Sequence, residues 1–134
     1  MNRKELAIAN HDKNYNCAQS VACTFYKEIG VDETTLFKAC EGLGLGMGCM
    51  ECTCGALSGA VLLAGFKNSD GNLSDPHTKV GTYEISKQIV TGFQEKCGST
   101  VCKDLKGAET GTPLCSCADC IKNAVEIAEE ILGL

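Results

Sequence analysis

The run Gly55-Ala56-Leu57-Ser58-Gly59-Ala60-Val61-Leu62-Leu63-Ala64-Gly65-Phe66 is apolar or small on nearly every face. A helix of this kind has no polar stripe to turn towards water, so it belongs at the centre of a fold. At 12 residues it is too short to span a bilayer, which takes about 20. Gly55 and Gly59 lie one helical turn apart and predict close approach of another helix,. The rest of the chain must therefore supply elements that wrap this one.

Those elements read as helices. Segment 2–13 is a short polar helix whose apolar part is Leu6, Ala7 and Ile8. Asn16 can cap a second helix in which Cys17, Val21, Phe25 and Ile29 recur at i+4, and Gly30 stops it,. Asp32 can cap a third, carrying Leu36, Phe37 and Cys40,. Glycine alternates through Gly42, Gly44, Gly46 and Gly48, which suits a loop whose backbone approaches something closely,. Asn68 to Ser74 is a turn, and Asp75-Pro76 predicts a helix start,. Val80, Tyr83, Ile89, Val90, Phe93 and Cys97 then keep helical spacing up to Gly98,. Thr100 can cap a short helix ended by Gly107, and Thr112-Pro113 predicts the start of the last, with Ile121, Ala124, Val125, Ala128 and Leu132 in phase. No strand alternation and no internal repeat is visible. The expected fold is all-α: a single domain, residues 1–134, of five to seven helices around the central glycine- and alanine-rich helix,.

Twelve basic against seventeen acidic residues leave a net charge of −5. That balance argues against nonspecific nucleic-acid binding and against a basic membrane-surface patch, so neither partner is expected. Hydrophobic residues at 44% exclude intrinsic disorder,. The first ten residues hold no apolar run of signal-peptide length,. A cytoplasmic location is expected, where thiols are normally reduced.

Sulfur is the anomaly, with eleven cysteines in the chain. An odd number cannot pair completely within one polypeptide. Two groups are dense: Cys49, Cys52 and Cys54, then Cys115, Cys117 and Cys120; the other five are Cys17, Cys23, Cys40, Cys97 and Cys102. Converging thiolates select zinc, Cu(I) or an iron–sulfur cluster over harder ions. Cys17, Cys54 and Cys102 adjoin predicted helix starts. Free amides and the positive dipole end stabilise thiolate there, or could bond to cluster sulfides. For Cys23, Cys40 and Cys97, plain packing and chemistry are equally open. Three cysteines within six residues of one helix cannot all face one side, so packing does not explain the second group. A second metal site at Cys49, Cys52, Cys115 and Cys117 is a further option,. No C-x-x-C-H haem motif occurs, no strand precedes either C-x-x-C, and His11 and His77 read as solvated or capping residues,.

Asn16-Cys17-Ala18-Gln19-Ser20-Val21, the glycine-rich loop leading to Cys54-Gly55-Ala56-Leu57-Ser58-Gly59, and the outlying Cys102 and Cys120 resemble the C-GCAxxG-C-C family, described as redox-active. The likeness runs from about Asn16 to Ala128, with Thr53 in place of the leading glycine of the family's name. It implies that the four family cysteines are Cys17, Cys54, Cys102 and Cys120. Some members are similar to the iron–sulfur part of split-Soret cytochromes, which implies a cluster. Others are selenoproteins, which implies thiol chemistry.

Three functions follow as expectations. The first is one-electron transfer by an iron–sulfur cluster, of unspecified type, held by Cys17, Cys54, Cys102 and Cys120, with a redox partner protein. The second is thiol–disulfide exchange among the family cysteines with no cofactor. The third is zinc or Cu(I) binding. A homodimer is an open alternative to a monomer, and no catalytic residue is assigned.

Overall fold

The computed structural model describes residues 1–134 and is all-helical. Its helices are α1 (Arg3–Asp12), α2 (Cys17–Ala22), α3 (Tyr26–Ile29), α4 (Glu33–Glu41), α5 (Gly44–Met47), α6 (Gly55–Asn68), α7 (Lys79–Cys97), α8 (Cys102–Lys106) and α9 (Cys117–Leu132). A 3₁₀ turn, Cys23–Phe25, joins α2 to α3, so Cys17–Ile29 runs as one bent helix. Within α5, Leu45 and Gly46 adopt left-handed torsions, so this element is a wound loop rather than a helix. Counted that way, seven helices form the bundle.

The central position of α6 is as expected. It packs against α2, α7 and α9, and α1 closes over α9. Ala56, Leu57, Ala60, Leu63 and Ala64 are buried along it. Gly59 is what lets α2 in: a methyl group there would stand 2.7 Å from the Ala18 carbonyl oxygen and 3.1 Å from its Cα. Phe25, Leu36, Phe93, Ile121 and Val125 fill the core around that contact. Of the α7 residues in helical phase, Ile89, Phe93 and Cys97 are buried, while Val80 and Tyr83 stand exposed on its first half.

The caps sort into two groups. Asn16 makes a full capping box with Gln19, Asp32 caps α4, and Gly30, Gly98 and Gly107 end their helices left-handed, as expected. The proline starts are corrected. Asp75-Pro76 does not begin α7, which starts at Lys79. The Asp75 amide bonds to the Asn72 side chain and its carbonyl to His77, which keeps the segment in a loop. Thr112-Pro113 does not begin α9 either; Ser116 caps it, accepting from the Asp119 amide. The amides of Leu114 and Cys115 bond instead to the Leu105 carbonyl, tying the segment to α8. Thr100 makes no cap on α8, whose N-cap position is Val101. The one strand-like feature is an isolated antiparallel bridge between Thr53 and Val101.

Candidate functional site

Four helices begin at one cavity. Cys17 is the first residue of α2, Cys54 the N-cap of α6, Cys102 the first residue of α8 and Cys117 the first residue of α9. All four line a cavity of about 270 Å³, together with Cys115 and Cys120. The starts of α2, α6 and α9 turn a positive dipole end towards it, and the Ala56 and Leu57 amides bond to the Cys54 sulfur, so the cavity favours negative charge,.

Local chemistry sets these positions. The Asn16 capping box fixes where α2 begins, and Asn16 Nδ2 donates to the Glu41 carbonyl at 2.9 Å, anchoring that start to α4. The Thr53–Val101 bridge brings the chain before α6 alongside the chain before α8. The Cys54 amide donates to the Thr100 carbonyl at 2.8 Å, and the Cys102 amide to the Cys52 carbonyl at 2.9 Å. Two cysteines distant in sequence are thereby placed next to each other. The glycine loop covers them: a methyl group on Gly46 would fall 2.5 Å from Cys102 Cβ, and its φ of +57° is left-handed. Leu45, Met47 and Met50 also hold positive φ, each at a cost of roughly 1–2 kcal/mol. The loop expected to approach something closely therefore does so, against the Cys102 side of the site.

The sequence expectation for the second group is corrected here. Cys115 precedes α9 rather than lying on it, and Cys117 and Cys120 are one turn apart on one face. All three therefore reach the cavity wall. Cys49 and Cys52 are exposed and do not line this cavity, so Cys115 and Cys117 are not gathered with them there. Cys23 and Cys40 lie in the apolar core, where burial pushes their thiols up to about 12 and about 11. Both behave as packing residues.

Cys97 does not. Its sulfur lies with those of Cys115 and Cys120, all within 4.8 Å of one another. This group can hold a metal ion. Asn123 Nδ2 donates to the Cys97 sulfur at 3.3 Å. Neither Cys97 nor Asn123 carried a local signal, since Cys97 merely ends α7 before a stop glycine. Lys106 was missed too, although it lies one turn beyond Cys102. Its Nζ donates to the Cys117 sulfur at 3.4 Å from the cavity rim. His11, expected to be solvated or capping, also lines the cavity, with Nδ1 hydrogen-bonded to the Tyr15 carbonyl.

The thiols divide into proton holders and thiolates. Cys117 is held down at about 5, first by the Cys17 thiol that donates to it and then by Lys106. Cys17 is correspondingly pushed up. Cys97 is lowered to about 6 by hydrogen bonds from Cys120 and Asn123. Cys54 is lowered by Cys120 and by the amides of Ala56 and Leu57 in the first turn of α6. Cys120, set between Cys54 and Cys97, is pushed up by both, and its thiol is within donating reach of the Cys115 carbonyl at 3.8 Å. Burial raises Cys102, and raises Cys115 to about 11. In the metal-free protein, each thiolate is thus paired with a protonated neighbour.

The family described as "Putative redox-active protein (C_GCAxxG_C_C)" matches residues 15–131. The chain belongs to this family. Cys17, Cys54, Cys102 and Cys120, the four cysteines expected from the resemblance, all line the one cavity. Cys115 and Cys117 add two further sulfurs to its lining, and Cys97 lies beside Cys115 and Cys120. No curated protein and no solved structure matches the chain. No helix is long and apolar enough to cross a membrane.

Proposed function

We propose that this chain is a cytoplasmic electron-transfer protein that holds an iron–sulfur cluster through Cys17, Cys54, Cys102 and Cys120. One observation carries the reading: these four cysteines come from four different helices and line a single cavity of about 270 Å³. A single tetrahedral ion with metal–sulfur bonds of about 2.3 Å needs its sulfurs within roughly 4 Å of each other. The four motif sulfurs do not form so tight a group. Wider spacing around a larger space suits a polynuclear core. Such a cluster, when bound, accepts and releases one electron at a time.

The chain's own residues would set the conditions. The positive ends of α2, α6 and α9, with the Ala56 and Leu57 amides at the Cys54 sulfur, stabilise anionic sulfur, and the Gly46 loop limits access on the Cys102 side,. A net charge of −5 repels an added electron and favours a low potential, while Lys106 at the rim opposes that trend,. The partner would be another redox protein.

Anaerobic purification followed by iron and sulfide analysis, with visible spectra before and after dithionite, tests the reading. Wild type is expected to be coloured and to bleach on reduction, and Cys54→Ser to lose both iron and colour. A colourless wild type, free of iron and sulfide after reconstitution, would overturn it.

A second reading has its own support in the Cys17–Cys117 pair. The Cys117 thiolate would attack a substrate disulfide, forming a mixed disulfide and expelling one substrate thiolate. Cys17, on losing its proton, would then displace the second substrate thiol and close a Cys17–Cys117 disulfide. Turnover of a disulfide substrate by iron-free protein, abolished in Cys117→Ser, would favour this reading.

A further inference from the structure

We infer that Cys97, Cys115 and Cys120 form a separate site for a single soft cation, best matched by Cu(I). Their three sulfurs lie within 4.8 Å of one another, near enough for one ion to draw them together, as no other trio of potential ligands in the chain does. They come from two parts of the fold: the end of α7, and the segment that runs from the loop before α9 into its first turn. The pocket is largely buried, since Cys97 and Cys120 are 4% and 2% exposed and Cys115 is half-buried.

Ligand type and number select the ion. Thiolate donors exclude hard cations and leave copper, zinc and iron–sulfur species. No histidine, carboxylate or fourth cysteine joins the group. Zinc in closed protein sites takes four ligands. Cu(I), a closed-shell monovalent ion, is satisfied by three sulfurs. Asn123, donating to the Cys97 sulfur at 3.3 Å, supplies the outer-shell bond that orients that ligand,.

Cys120 belongs both to this trio and to the proposed cluster ligands. One consequence therefore rests on the cluster reading: Cu(I) at the trio and a fully ligated cluster compete for Cys120. The trio itself stands without that reading.

Full-length, reduced, metal-free protein titrated anaerobically with Cu(I) against a Cu(I) chelator tests the site. X-ray absorption at one equivalent is expected to show three sulfur ligands. Asn123→Leu should weaken that equivalent by roughly 10–100-fold, as expected for a lost outer-shell partner. Cys97→Ser and Cys115→Ser should each weaken it further still, and Cys102→Ser should leave it unchanged. Circular dichroism checks that the variants fold; should Cys97→Ser fail to, the half-buried Cys115→Ser and Asn123→Leu decide the matter. Unchanged affinity in Cys115→Ser, or equal loss in Cys102→Ser, would overturn the site. Protein that follows the expected Cu(I) pattern yet never assembles iron and sulfide keeps this site and sinks the cluster reading. Protein that assembles the cluster but shows no dependence on Cys97 or Cys115 for Cu(I) does the reverse.

Discussion

Cys117 shows how far a few neighbours move a single thiol. The Cys17 thiol and the Lys106 ammonium both favour its ionised form, lowering it from 9.0 to about 5. The sign follows directly: the reactive species is the thiolate, so Cys117 in metal-free protein is already ionised at pH 7, where an ordinary thiol is mostly protonated. Its alkylation rate should be flat from pH 9 down to pH 6 and fall below about pH 5. Lys106→Met removes a stabilising charge, so the fall should move to higher pH and the rate at pH 6 should drop. Mass-spectrometric alkylation kinetics check both, with buried Cys23 and Cys40 as silent internal controls. At this scale, Cys17 was legible because Asn16 caps α2, and Cys54 because the apolar run that opens at Gly55 fixes the start of α6, whereas Cys102 begins α8 without the expected Thr100 cap. Cys97 was not legible, because its partners Cys115, Cys120 and Asn123 approach it only through folding.

Among the elements, α6 and α2 set the frame that brings Cys17 to Cys54. Gly59→Ala would push a methyl group against the Ala18 backbone, which cannot swing aside as a side chain can. Overpacking of this kind costs about 1–3 kcal/mol, against a gain of up to about 1 kcal/mol from better helix propensity. The net expectation is a lower urea midpoint. Gly65→Ala, on the same helix, meets nothing within 4 Å. It should raise stability by about 0.5–1 kcal/mol, so the two variants should move the midpoint in opposite directions. Helix stops at Gly30, Gly98 and Gly107 were readable because a left-handed residue is a local requirement,. The starts at Asp75-Pro76 and Thr112-Pro113 were misread because proline at a helix start is only permitted, not demanded. Hydrogen bonds to Asn72 and to the Leu105 carbonyl prevailed there.

For the molecule as a whole, the cavity links metal binding to folding. An unfolded chain scatters the four motif cysteines, so a group bound only by the folded state raises stability, by about 4 kcal/mol at a thousandfold excess over Kd. Iron-loaded protein should therefore melt at a higher temperature than metal-free protein. Calorimetry should find that difference abolished in Cys54→Ser, whose loaded and unloaded scans should coincide. Equal melting temperatures for the two wild-type forms would count against any cluster in this cavity.

The amino-acid sequence alone determined the all-helical architecture, the central place of the Gly55–Phe66 helix and the softness of the donor set. These follow from local periodicity, local caps and residue chemistry, which need no partner at a distance. Only the tertiary structure decided which sulfurs meet. Cys54 and Cys102 are joined by the bridge between Thr53 and Val101, and Cys97 meets Cys115 and Cys120 where α7 ends beside the start of α9. Contacts of that range depend on how helices stack, and no spacing along the chain encodes them.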